Sequence, residues 1–389
     1  MGSPKSMHVV VVGGGPAGAT AAERLALSGV QVTLLERDTT RPKTCAGAVT
    51  PAVLKEFDVP AALVERTVRC VRLIPPSGRF LDIALPQPVS LVCREKLDAF
   101  LRLRAQKAGA QVLEAACSAV VPRGRHRAVE VVIRGDSRPQ TLPADIVIAA
   151  DGARSVVARS LGLARPTGLL AHQERIEMGP TALRLADRIE IHFRSDISPD
   201  FYGWVFPKAD HLCVGTASWT GRGRLPALLR RLKERAGIEG VKVLRREAGF
   251  LPLRSRPKLV TGPIVFVGDA GGFVSPISGE GIYYAMKSGQ LAASCALQAI
   301  AKSQVPDALA TYEMTWRKMF RRMTHGLALA QRIYYGEDSR RECFVGVCRH
   351  PVVQRAGFFR YLEKEGPLGL SWETVRMVLM NLFALARFV

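Results

Sequence analysis

Acidic residues are scarce in this chain: 34 Asp and Glu stand against 55 Lys and Arg, a formal net charge of +21. The imbalance argues against an acidic, cation-gathering surface and favours polyanions: nucleic acid, anionic lipid, a diphosphate or an acidic electron donor. No C-x-x-C pair occurs among the eight cysteines (45, 70, 93, 117, 213, 295, 343 and 348), which removes the usual zinc and thioredoxin-type patterns. No signal peptide opens the chain, so these thiols read as small hydrophobes in a reducing, cytoplasmic compartment, without disulfides. No segment holds the roughly 18 uninterrupted apolar residues that a membrane-crossing helix needs. There is also no fixed-period repeat, no low-complexity tract, no Ser/His/Asp or paired-carboxylate set and no metal-ligand cluster. Apolar residues at 48% and charged residues at 23% describe an ordinary folded protein, with length enough for two domains or one large composite.

What is present begins with MHVVVVGGGPAGATAAERLALSGVQVTLLERD: strand, glycine turn, amphipathic helix, second strand. Val9 to Val12 form the continuous apolar run of a parallel strand buried on both faces. Gly13, Gly15 and Gly18 then make G-x-G-x-x-G. The first allows a tight turn, the second lets a pyrophosphate approach the backbone, and the third lets helix and strand pack closely. Pro16 and Ala17 open a helix whose N-terminal N–H groups face the phosphate. Glu36, at the end of the second strand with Arg37 beside it, is placed for a ribose diol. This unit binds a dinucleotide but does not choose between NAD and FAD.

A second glycine-rich loop makes the choice. VFVGDAGG puts Asp269 on a turn after a buried strand, where it can accept from a ribityl hydroxyl. SPISGEGI, with Gly279, Gly281 and Ile282, then leads into a helix whose N–H groups can point at the flavin pyrimidine edge. Ile282, Ala285, Met286, Gly289, Ala292, Ala293 and Ala296 share one face of that helix. A flavoprotein needs such a second loop and a simple dehydrogenase does not. Arg94, opening the helix of CREKLDAF, reads either as a flavin contact or as a surface arginine. ADGARS, with Asp151, Gly152, Arg154 and Ser155, reads as a helix start favouring an anion, or as a plain turn.

Short alternating stretches separate these pieces. A discontinuous nucleotide-binding domain (1–60, 91–165 and 255–305) is therefore expected around a β-rich domain (61–90 and 166–254), with a helical C-terminal region (306–389). Within that last region, 317–360 carries ten Lys or Arg against three Asp or Glu. ETVRMVLMNLFALARFV suits a helix lying on a membrane surface or docked on the body.

The set G-x-G-x-x-G, Glu36, Arg94, DGARS and VGDAGG…GEGI resembles the large class of FAD enzymes built on the hydroxybenzoate-hydroxylase plan. KTCAGAVTPAVL and YGWVFPK narrow the likeness to the geranylgeranyl reductase family. The branch that hydrogenates the prenyl tail of chlorophyll or bacteriochlorophyll, or free geranylgeranyl diphosphate, is the nearest. The likeness runs from residue 7 to 335 and is patchier afterwards. It implies an α/β fold with a Rossmann-like FAD domain, an interleaved antiparallel substrate sheet and a helical C-terminus. It implies FAD as cofactor and NADPH or reduced ferredoxin as electron donor. No second G-x-G-x-x-G module exists to hold NADPH, and the basic 317–360 segment suits an acidic ferredoxin.

The resemblance also places Cys45-Ala46-Gly47 against the isoalloxazine ring, where family members usually show C-G-G or C-G-D. Ala46 departs from that pattern, and would be strained if the position needs positive φ. Cys45 is a packing group, a proton source or a modulator of flavin reactivity. Tyr202, Trp204 and Phe206, followed by Pro207, alternate along a strand and so point to one side. They are core, or a wall for a long apolar ligand. Lys208, Arg254 and Arg256 read as a diphosphate site or, more simply, as a solvated face. The expected reaction is hydrogenation of isolated C=C bonds in a prenylated small molecule or lipid, by an enzyme peripheral to a membrane or free of it. The rivals are an aromatic hydroxylase on the same scaffold and a non-enzymatic prenyl-lipid carrier. A halogenase lacks support because its W-x-W is replaced by Tyr202-Gly-Trp204, and a nucleic-acid role has only the net charge behind it.

Overall fold

A computed structural model describes residues 7–41, 43–123, 126–133, 140–302 and 305–364. The expected amphipathic helix near the C-terminus lies outside the described residues. The chain divides into two compact units. Among the described residues, one comprises those up to 43, 94–168 and 251–321; the other comprises 44–93, 169–250 and 322–364.

The first unit is built on an eight-stranded sheet. Its order is Val260–Thr261, Ile264–Phe266, Ile146–Ala149, His8–Val12, Gln31–Glu36, Gln111–Arg123, His126–Ile133 and Gln140–Ala144. The five strands from Ile264–Phe266 to Gln111–Arg123 run parallel. Val9, Val10 and Val11 are wholly buried, as an unbroken β-branched run demands when both faces of its strand are covered. Burial of each contributes about 1.5–3 kcal/mol relative to exposure. Strand order reverses at His8–Val12, whose neighbours are Gln31–Glu36 on one side and Ile146–Ala149 on the other. Ligands of open parallel sheets bind at the carboxyl ends of the strands beside such a reversal.

The second unit carries a second eight-stranded sheet, mainly antiparallel. Its order is Val243–Leu251, Leu169–Glu177, His211–Ser218, Gly203–Pro207, Ile189–His192, Val64–Ile74, Leu81–Val92 and Ala48–Val49. The helix Leu225–Ala236 packs Leu229 and Leu232 against Ile176, Val205, Leu212 and Val214. That helix stops at Gly237, which adopts the left-handed conformation glycine tolerates without cost. Since Val205 faces the helix, Trp204 and Phe206 face the other side of the sheet. The sequence expectation of three aromatics on one strand needs one change. The strand is Gly203–Pro207, and Tyr202 stands just ahead of it.

Candidate functional site

In the first unit, the sequence motifs collect at the carboxyl ends of the parallel strands. Gly13 follows His8–Val12, Glu36 ends Gln31–Glu36, Asp151 follows Ile146–Ala149, and Asp269 follows Ile264–Phe266. Gly13 has φ +106°, and a Cβ there would lie 2.3 Å from the Ala150 carbonyl oxygen. A Cβ on Gly18 would lie 1.9 Å from the Gly13 carbonyl oxygen. These two glycines are required by the fold itself. Gly15 differs: a Cβ there would meet nothing within 4 Å. It caps the helix Pro16–Leu27, and no side chain accepts from that helix start. Open space before an uncapped helix N-terminus is the cradle a diphosphate requires.

The loop is held by groups the sequence only partly announced. The Gly14 N–H donates to Glu36 Oε2 at 2.7 Å, so this carboxylate braces the glycine turn. Arg102 donates to the carbonyls of Gly14 (3.4 Å) and Thr39 (2.9 Å) and was not foreseen. Its only sequence signal was a basic residue on the helix Arg94–Lys107. Arg37 is exposed.

The second loop is brought to the same place by a helix crossing. A Cβ on Gly289 would lie 2.1 Å from the Ala17 carbonyl oxygen, and one on Gly268 would lie 3.0 Å from the Ala17 Cβ. The helices Pro16–Leu27 and Ile282–Lys302 therefore touch almost backbone to backbone. The small-residue face read from the sequence, Ile282 to Ala296, is buried throughout. A Cβ on Gly281 would lie 3.6 Å from Asp269 Oδ1, while Lys43 Nζ donates to Asp269 Oδ2 at 3.0 Å. Gly279 has φ +63°. Ser275 Oγ, on the same loop, is buried without a hydrogen-bond partner. A dinucleotide fits these features: an open uncapped helix start, a carboxylate at the second strand, and an orphaned hydroxyl by a second loop.

One expectation in this unit needs correction, and one alternative is removed. DGARS does not leave a helix start open to an anion. Asp151 Oδ2 accepts from the N–H groups of Val156 (2.6 Å) and Val157 (3.1 Å), and Ser155 Oγ accepts from Ala158 N–H (3.0 Å). The short helix Val156–Ser160 is thus capped from within, which the D-x-x-x-S spacing allowed. Burial raises the Asp151 pKa against the lowering effect of those hydrogen bonds. Gly152 takes a positive φ of +79° beside it. Arg94 is not a surface arginine: it is 5% exposed and holds Asp98 through two hydrogen bonds of 3.0 and 2.8 Å.

In the second unit, the turn Cys45-Ala46-Gly47 is anchored to the end of Leu81–Val92. Val92 N–H donates to the Gly47 carbonyl at 2.9 Å, and Gly47 N–H donates to Cys45 Sγ at 3.3 Å. Positive φ belongs to Gly47 (+76°) and not to Ala46, so the departure from the family pattern carries no backbone strain. Lys208 is 4% exposed, not part of a solvated face. Its Nζ donates to the Val92 carbonyl at 2.6 Å, pairs with Glu65 at 2.9 Å, and lies 3.0 Å from where a Gly47 Cβ would be. Arg256, in the first unit, is also buried; it donates to the carbonyls of Ala270 and Ala164 and serves the fold rather than a diphosphate. Cys213 is buried, and desolvation pushes its thiol up to about 12.

Tyr202 and Trp204 are nearly buried, with ring centroids 6.2 Å apart and almost perpendicular. Tyr202 also stacks on Phe201 at 4.1 Å and meets Phe193 and Tyr335 edge-on. Phe344 joins through Phe193 and Tyr335. Tyr335 and Phe344 were missed, because nothing local ties a helix near residue 340 to a strand near 203. Phe206 is half-buried and Pro207 buried.

Among the described residues, no group of three or more His, Cys, Asp or Glu is placed to hold a metal ion. No helix among them is long and apolar enough to cross a membrane.

Known proteins match this arrangement. The family model described as lycopene cyclase protein matches residues 8–364. The chloroplastic geranylgeranyl diphosphate reductase of Oryza sativa subsp. japonica is 36% identical, over 99% of this chain and 87% of the relative. The geranylgeranyl diphosphate reductase of Rhodobacter capsulatus is 37% identical, over 91% of each. A crystal structure of a geranylgeranyl bacteriochlorophyll reductase-like protein from Thermoplasma acidophilum superposes with a TM-score of 0.79 at 25% identity, covering 98% of this chain and 96% of that one. With an α/β flavoprotein-type fold and such identity over nearly its whole length, the chain belongs to the geranylgeranyl reductase family.

Proposed function

We propose that this chain is a FAD-dependent reductase that hydrogenates C=C bonds of a geranylgeranyl chain, carried by a pigment or by diphosphate. The observation that carries the proposal is the identity of more than a third with geranylgeranyl diphosphate reductases over almost the whole chain. The open cradle at Gly15 and the orphaned Ser275 hydroxyl support FAD as the dinucleotide.

FAD, when bound and reduced, supplies the hydride that an isolated alkene cannot obtain from amino-acid side chains. The residues of the chain do the rest. Gly13 to Gly18, Glu36, Asp269 and the Gly279–Ile282 turn bind and orient the cofactor. The family resemblance assigns the Cys45–Gly47 turn, with its small side chains, to the face of the ring. The Cys45 thiol would deliver a proton to one alkene carbon, complementing the hydride that reduced FAD would supply to the other, so that the pair would add as one H2. Tyr202 and Trp204 stabilise positive charge on the tertiary carbon through their π-faces, and the apolar wall with Phe206 keeps water out. NADPH or reduced ferredoxin is the proposed donor, and contact with a membrane surface suits so apolar a substrate.

Anaerobic incubation of the reduced holoenzyme with geranylgeranyl diphosphate, and separately with geranylgeranylated pigment, tests the proposal by mass spectrometry. The expected product is heavier by one H2 for each bond reduced. Unchanged mass with both substrates, from a flavin that reoxidises normally with another acceptor, overturns it. A chain that takes up no FAD would instead be the carrier.

A further inference from the structure

Trp204, Gly215 and Gln173 occupy one cross-strand row. Trp204 pairs with Gly215, Gly215 pairs with Gln173, and the strand bearing Glu247 lies next to that of Gln173. The indole lies across the glycine: a Cβ on Gly215 would be 2.3 Å from Cζ2 and 2.5 Å from Cε2 of Trp204. The ring thereby reaches the next strand, where Nε1 donates to Gln173 Oε1 at 3.0 Å. Gln173 Nε2 in turn donates to Glu247 Oε2 at 2.8 Å. The other oxygen of Glu247 accepts from Arg175 at 3.0 Å and pairs with Arg245 at 3.5 Å, leaving Oε2 to Gln173. Gln173 is 1% and Glu247 7% exposed.

We infer that Gln173 and Glu247 are positioning residues that fix the Trp204 indole and enrich its π-face, and that Gly215 is the space this pose requires. The inference rests on the reductase function proposed above. An indole N–H can only donate and a carboxylate can only accept, so an amide bridging them has one orientation. Exchange of that amide cannot occur without losing both bonds. A carboxylate two hydrogen bonds from the indole polarises the chain of bonds toward the ring, in a site with little water to screen it. A more electron-rich face holds a developing carbocation better. The indole also meets Tyr202 almost perpendicularly, with ring centroids 6.2 Å apart.

The test uses FAD-loaded enzyme with geranylgeranyl diphosphate and compares Gln173→Met, Glu247→Gln, Trp204→Phe, Trp204→Ala and Gln173→Met/Trp204→Phe. Gln173→Met is expected to lower kcat about 10-fold or more with KM nearly unchanged, and Glu247→Gln to lower it less. In the Trp204→Phe background, where no N–H remains, Gln173→Met should cost nothing further. Ultraviolet resonance Raman, as a difference against Trp204→Phe, should show the indole N–H band of Trp204 shifted toward a weaker hydrogen bond in Gln173→Met. Full kcat in Gln173→Met, or a loss that simply adds to that of Trp204→Phe, overturns the inference while leaving the reductase function standing. Full alkene reduction by Trp204→Ala overturns the role given to Trp204 itself, whereas none by the unmodified enzyme overturns the reductase function on which the inference rests. Should Gln173→Met fail to fold, Glu247→Gln with the same Raman and kinetic readings decides.

Discussion

Glycine 47 and its neighbour Ala46 show how much one backbone angle decides. Gly47→Ala would force φ of +76° on a β-carbon and set it 2.1 Å from the Val92 carbonyl oxygen. A loss of about 3 kcal/mol or more is expected by denaturant titration, against under about 1 kcal/mol for Ala46→Gly. Lys208→Met leaves the Val92 carbonyl and Glu65 carboxylate without their donor, and should cost roughly 3 kcal/mol in the same measurement. At Cys45 the expected effect is chemical, not structural. Cys45→Ala should keep FAD and thermal stability but lower alkene reduction at least about 10-fold, read by single-turnover reoxidation of the reduced enzyme. The thiol, the glycine and the aromatics were all visible in the sequence. The burial of Lys208 was not, since its partners Glu65 and Val92 lie more than a hundred residues away, and a lysine after proline looks like any surface lysine.

Among the elements, the crossing of Pro16–Leu27 over Ile282–Lys302 does most to assemble the cofactor cradle. Gly289→Leu would drive a side chain into the Ala17 backbone and separate the helix starts. It is expected to lower FAD affinity by an order of magnitude or more, measured by flavin retention on dialysis, together with a loss of about 2–4 kcal/mol in stability. The small-residue face was legible, because glycine and alanine recurred every three or four residues on it, but the helix it packs against was not. The start of Val156–Ser160 was misread. An anion-binding and a self-capped helix start share the same residue types, and only the direction of Asp151 distinguishes them.

For the molecule as a whole, burial makes alkaline pH destabilising. Desolvation raises Cys213 to about 12, and raises Cys348, Tyr312 and Tyr335 as well. Below the unfolded values of 9.0 for cysteine and 10.0 for tyrosine, folded and unfolded chains hold these protons alike, and stability is fully present. Above them the unfolded chain ionises first, so stability falls by up to about 1.4 kcal/mol per pH unit for each group until the folded pKa is passed. The thermal midpoint should therefore decline steadily from pH 9 to 11. Cys213→Val should flatten part of that decline, and a midpoint independent of pH over this range would contradict the account.

By itself the sequence determined the strand-turn-helix of the dinucleotide unit, the small-residue helix face, the second glycine loop and the aromatic strand. Each is written in neighbours a few residues apart, where period and steric need act directly. Only the tertiary structure decided that Trp204 spans Gly215 to reach Gln173 and Glu247, that Lys208 and Arg256 are buried, and that Asp151 caps its own helix. Those outcomes depend on strand order and register. Both are set by burial of whole sheet faces, and no local spacing encodes them.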